Sequence, residues 1–138
     1  MKRNNALGIG VAATLAAAFV WHGPGGAGDR LAGAIDRTMR ATLDHYEMPQ
    51  VAARTQRDPL TRRLMLDGPA DAFQRGEIAR IALEVPGVSA VHWAGPRSPP
   101  RALPLLAEVM LMALASFAIG VVLAYIAALR RRARLAFA

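Results

Sequence analysis

Two long apolar segments, one near each end of the chain, flank a middle of mixed polarity. The first covers residues 6–21 and follows Lys2 and Arg3, whereas the second covers residues 103–129 and precedes an arginine-rich end. Residues 109–129 carry no charge, and a helix of that length rises about 31 Å, roughly the thickness of one hydrocarbon core. The pattern therefore predicts two transmembrane helices that enclose one small domain.

The first apolar segment leaves two interpretations open. Sixteen apolar residues rise only about 24 Å, and a short apolar run behind Lys-Arg is also typical of a cleaved signal peptide. We expect a retained anchor, and the excess of basic residues at both ends then places both termini in the cytoplasm and the middle in the periplasm. The predicted division is 1–5, cytoplasmic tail; 6–22, transmembrane helix 1; 23–102, periplasmic domain with linkers; 103–129, transmembrane helix 2; 130–138, basic cytoplasmic tail.

The middle of the chain alternates between helical and strand periodicity, with proline and glycine at the boundaries. Asp29 is the expected N-cap of the first helix, and Phe73 is expected to face inward from the second. The predicted elements are a helix over 30–46, strands over 51–57 and 61–66, a helix over 69–84 and a strand over 88–93. This α-β-β-α-β order predicts a small α+β domain with both helices on one face of a three-stranded sheet.

Three stretches of this domain carry a resemblance to a known family. Residues 64–70 (LMLDGPA), 78–82 (IARIA) and 85–91 (VPGVSAV) resemble the glycine-ended strand, the amphipathic helix and the G-V-x-x-V strand of a BON domain. The resemblance implies a non-enzymatic envelope module that binds phospholipid or stabilises membrane-associated assemblies. The layout is also similar to small alphaproteobacterial envelope proteins found near outer-membrane-protein-A-like proteins. The chain lacks their peptidoglycan-binding domain, and it adds a second crossing where many BON proteins have tandem units.

Small residues recur every fourth position along both predicted transmembrane helices, a spacing that lets helix backbones approach closely in a membrane. An alanine-rich helix also produces such stripes by chance, and the partner could be the other helix of the chain or a different protein. The predicted helix-packing residues are Gly8, Ala12 and Ala16 in the first helix, with Gly10, Thr14 and Ala18 as a parallel set, and Ser116, Gly120, Ala124 and Ala128 in the second.

The net charge of +7 lies mostly in the two ends, because residues 28–102 hold eleven Arg against nine Asp and Glu. This distribution favours anionic lipid headgroups over nucleic acid as the partner. One cluster in the middle is a candidate site for lipid phosphate or an acidic partner, with a solvated, ion-paired face as the alternative. The candidate lipid- and partner-binding residues are Arg54, Arg57, Arg62 and Arg63 in the domain and Arg130, Arg131, Arg132 and Arg134 at the C-terminal end.

The sequence offers no constellation for catalysis or for metal binding. It has no cysteine, its three histidines are far apart, and no carboxylate pair is marked out as an acid–base couple. His22, at the membrane exit of the first helix, is the one candidate cofactor residue, as a ligand to a haem or chlorophyll metal. We expect no bound cofactor and no enzymatic activity.

Taken together, these features predict an accessory or structural subunit of a larger inner-membrane complex, in a respiratory or photosynthetic assembly. Its partners would be other integral membrane subunits and anionic phospholipid headgroups. The alternative is a stand-alone phospholipid-binding module that maintains envelope integrity or responds to envelope stress.

Overall fold

The structure is a computed structural model that describes residues 3–96 and 98–136. In these residues it has four helices and one three-stranded mixed sheet. The elements are α1 Arg3–His22, α2 Ala27–His45, β1 Ala52–Arg57, β2 Leu60–Asp67, α3 Ala72–Glu84, β3 Ala90–Trp93 and α4 Leu105–Ala136. The predicted order of the domain is thus confirmed, with strands in the order β1-β2-β3, β1 antiparallel and β3 parallel to β2.

One core holds the domain together on a single face of the sheet. Leu64 and Leu66 of β2 are fully buried, as the alternation of the strand predicts. They pack with Met39 of α2 and with Ile78 and Ala82 of α3. Both helices of the domain therefore cover the same face of the sheet, and the opposite face is left to the segment that follows β3.

Two local expectations were wrong. The N-cap of α2 is Gly26, in a left-handed conformation, so Asp29 lies inside the first turn of the helix instead of capping it. Phe73 is 77% exposed, whereas Ile78 and Ala82, further along α3, are buried. The cap of α3 is Asp71, in a reciprocal capping box.

A side chain of α2 binds the outer edge of β1 at one position. Asp36 Oδ1 accepts hydrogen bonds from the Thr55 backbone N–H at 2.7 Å and from the Thr55 hydroxyl at 2.6 Å, and Asp36 Oδ2 accepts one from Arg57 at 3.0 Å. An edge strand with free N–H groups is a template for pairing with another chain. Asp36 occupies one of these N–H groups, at Thr55, and fixes α2 to the sheet at the same time.

α1 and α4 are long and apolar enough to cross a membrane, and the rest of the protein does not bury them. Exposed apolar side chains such as Ile9, Leu111 and Ile119 follow their length. Helices of this kind are stable outside a core only when lipid or another protein surrounds them. α4 continues as a helix to Ala136, so the predicted basic tail is, within the described residues, the end of this helix.

Candidate membrane and partner surfaces

α1 and α4 form an antiparallel pair that leaves the domain at one end. Gly10 of α1 lies against the ring of Phe117, since a Cβ on Gly10 would stand 2.8 Å from Phe117 Cζ. Further from the domain, Leu7 shares a cavity with Val121 and Tyr125. With increasing distance from the domain, residue numbers decrease along α1 and increase along α4. The two helices therefore form an antiparallel hairpin. A side chain on Gly10 would therefore have to displace the ring of Phe117.

The two small-residue stripes of α1 differ in their burial in this hairpin. Gly10, Thr14 and Ala18 are half-buried, and the Thr14 hydroxyl donates a hydrogen bond to the Gly10 carbonyl at 2.8 Å. The other stripe, Gly8, Ala12 and Ala16, is exposed. In α4 the predicted stripe is exposed along its whole length, at Ser116, Gly120, Ala124 and Ala128. A Cβ at Gly8 or at Gly120 would meet nothing within 4 Å, so both exposed stripes point away from the hairpin.

The difference between Gly8 and Gly10 gives a matched pair of variants. We expect Gly10→Leu to separate α1 from α4, because overpacking a filled contact costs about 1–3 kcal/mol. Gly8→Leu adds the same side chain to open surface and should leave the hairpin intact. The measurement is chemical cross-linking of a cysteine pair, Leu7→Cys with Val121→Cys, in a chain that has no other cysteine. Equal cross-linking in the two variants would contradict the placement of α1 on α4.

The domain is fixed to the hairpin at several points. Arg62 of β2 lies 3.6 Å from the Glu108 carboxylate of α4 and donates to the Gly87 carbonyl at 3.0 Å. Gly28, at the start of α2, is buried against Leu105, where α4 begins. The domain is therefore held against the ends of both apolar helices.

The predicted arginine cluster is not one site. Arg57 forms ion pairs with Asp29 at 3.5 Å and with Asp36 at 3.0 Å. Arg62 forms an ion pair with Glu108. Arg54 is exposed, on the face of the sheet opposite the core. Arg63 is only 5% exposed, and no carboxylate of the described residues lies within 4.0 Å of it. Of the four, Arg63 alone combines burial with an uncompensated charge.

The basic end of the chain lies on α4, at the end of the hairpin far from the domain. Arg130, Arg131 and Arg132 are exposed there. The side chain of Arg134 and all of Lys2 lie outside the described residues. Exposed arginines just beyond an apolar span have the arrangement that anionic headgroups attract.

His22 is half-buried at the domain end of α1, beside a cavity that Asp29, Leu60 and Leu105 also line. Its Nδ1 is buried and has no hydrogen-bond partner among the described residues. A metal-bound histidine usually donates its second ring N–H to an acceptor. The described residues place no such acceptor at Nδ1 of His22. Ligation of a haem or chlorophyll metal by His22 stays a prediction. The described residues contain no group of three or more potential metal ligands.

The sequence did not predict an apolar groove between α2 and α3. It has a volume of about 280 Å³. Met39, Tyr46 and Ile81 line it, and the exposed Phe73 stands at its rim. Arg80, also at the groove, is held by Glu77 and Glu84, and its hydrogen bond to Glu77 raises the pKa of the guanidinium.

Comparison with models of protein families, with curated proteins and with solved structures finds no match. The BON-like character of the domain therefore stays a prediction from residues 64–70, 78–82 and 85–91. What the geometry establishes is coarser, namely two apolar helices paired beside a small α+β domain.

Proposed function

We propose that the protein is a non-enzymatic accessory or structural subunit of a larger inner-membrane complex, in a respiratory or photosynthetic assembly. The observation that carries the proposal is the hairpin, whose outer stripes of small residues are left uncovered on both helices. In lipid, close packing of small residues is a main source of helix association. The stripes at Gly8 and Gly120, which residues 3–96 and 98–136 leave uncovered, are suited to helices of another subunit.

In this proposal the domain is periplasmic and both termini are cytoplasmic. The support is the charge pattern, because Arg130, Arg131 and Arg132 lie at the end of α4 away from the domain, where the positive-inside rule expects them. The contacts at Arg62 and Gly28 hold the domain close to the membrane surface, so it is positioned to touch the exported face of its partners.

The test is purification of the tagged full chain from its native membrane in a mild detergent. We expect a stoichiometric complex with other integral membrane proteins. Gly120→Leu should release those partners while the chain stays folded, whereas Ile119→Leu, an apolar exchange at the neighbouring exposed position, should retain them. A chain that purifies alone in the wild-type form would contradict the proposal.

One observation favours the alternative of a stand-alone phospholipid-binding module. Within the described part of the chain the buried charge of Arg63 has no acidic partner. A buried charge is costly unless an opposite charge accompanies it, and an anion from outside would supply that charge. The same purification separates the two functions, since the alternative predicts a lone protein or homo-oligomer that carries phospholipid.

A further inference from the structure

We propose that the face of the sheet opposite the core binds a phosphate group, held between the guanidinium groups of Arg63 and Arg101. The two residues line one cleft of about 330 Å³. Gln56 lines it from β1, Pro59 from the turn between β1 and β2, and residues 99–102 from the segment that leads to α4. The site is therefore built from the sheet on one side and from the return to the membrane on the other.

Arg63 is the centre of the site because its charge is buried without compensation. Its Nη1 donates a hydrogen bond to Gln56 Oε1 at 3.2 Å, and a neutral amide is the only acceptor that the described residues offer its guanidinium. A buried charge is costly unless an opposite charge and further hydrogen bonds accompany it. The neighbouring Arg57 and Arg62 have such partners in Asp36 and Glu108. At Arg63 the missing partner is an anion from outside the chain.

The chemistry of the cleft suits a phosphate group. A guanidinium presents a planar fork of N–H donors that matches two phosphate oxygens, and such charge-assisted bonds are the strongest in proteins. Among the described residues that line the cleft, none has an acidic side chain that would repel the ligand. Arg101 is exposed, so it can close over a phosphate that Arg63 already holds.

The position of the cleft points to the headgroup of an anionic lipid as the source of the phosphate. Pro59 lines this cleft and also the cavity that His22 and Leu105 share at the ends of the two apolar helices. Arg101 lies shortly before Leu105, the first residue of α4, in the sequence. This assignment of the source rests on the proposed membrane insertion, whereas the phosphate chemistry of Arg63 does not. A free phosphate ion would satisfy the same two arginines.

The experiment is native mass spectrometry of the full chain in an uncharged detergent, with added phosphatidylglycerol or phosphatidylcholine, and calorimetric titration with inorganic phosphate. We expect phosphatidylglycerol to bind at least tenfold more tightly than phosphatidylcholine, whose choline cation Arg101 repels. Arg63→Gln and Arg101→Gln should each weaken this binding about tenfold, the loss expected for one charge-assisted hydrogen bond. Arg37→Gln, which removes the same charge from an exposed position on α2, should have no effect.

The outcomes separate the source of the phosphate from the existence of the site. Displacement of phosphatidylglycerol by inorganic phosphate at comparable affinity would support the site and assign it to a free ion. Wild-type binding by both cleft variants, or equal weakening by Arg37→Gln, would overturn it. If Arg63→Gln fails to fold, the exposed Arg101 decides the question. If the chain has the expected topology but binds neither phosphatidylglycerol nor inorganic phosphate, only this site is overturned. If it binds phosphate but has a different topology, only the proposed function is overturned.

Discussion

Gly68→Ala should destabilise the domain by about 3 kcal/mol, or prevent it from folding. Gly68 follows β2 with a φ of +136°, a conformation that a side chain rarely adopts. A Cβ at this position would lie 2.5 Å from the Gln50 carbonyl oxygen and 3.0 Å from Val51 Cα. Both neighbours are backbone atoms, and Val51 is fully buried in the core. The backbone around Gly68 therefore cannot move to accommodate a side chain without a large loss of stability.

Gly76→Ala is the matched control for that substitution. Gly76 lies in α3, and a Cβ there would meet nothing within 4 Å. Alanine should therefore stabilise the domain by about 1 kcal/mol, the ordinary difference in helix propensity. The measurement is urea unfolding of the full chain in a mild detergent, followed by Trp93 fluorescence in a Trp21→Phe background. A midpoint for Gly68→Ala equal to that of the parent would contradict the turn described here.

Leu64→Ala should cost about 3 kcal/mol of domain stability, within the range for a large-to-small change in a filled core. Leu64 is fully buried and pairs with Thr55 of β1 on one side and with Val91 of β3 on the other. The cavity would open at the centre of the sheet, where the strands on either side prevent collapse. The same urea titration measures the loss.

Leu83→Ala removes the same atoms from an exposed position of α3. We expect a change within about 0.5 kcal/mol, as for surface positions in general. Comparable losses for Leu64→Ala and Leu83→Ala would mean that the core does not lie on the face of the sheet covered by α2 and α3.

The order of elements could be predicted from the sequence because local signals determine it. Proline and glycine mark the ends of each element, and alternation along β2 identifies Leu64 and Leu66 as inward. The exposure of Phe73 could not be predicted in this way, since Phe73 lies in the first turn of α3 and the buried residues of that helix begin at Ile78. The N-cap of α2 was missed because Gly26 acts through its backbone conformation, whereas Asp29 has the side chain that usually caps.

The predicted surfaces depended on tertiary contacts that no local pattern contains. The sequence alone does not distinguish Arg57 and Arg62 from Arg63. In the structure, Asp36 pairs with Arg57 and Glu108 pairs with Arg62, and both acids come from distant positions in the chain. Likewise the stripe through Gly10 and the stripe through Gly8 have the same spacing. Only the position of Phe117 on the opposite helix decides which of them is used within the chain.

Labelling of single cysteines from the two sides of the membrane tests the central claim most directly. The chain contains no cysteine of its own, so Ser98→Cys, Asn5→Cys and Ala133→Cys each give one site. With a membrane-impermeant maleimide on intact spheroplasts, we expect Ser98→Cys to react and the other two to react only after the membrane is opened. Reaction of Ala133→Cys in intact spheroplasts, or loss of the position 5 site from the mature chain, would contradict the two-crossing hairpin.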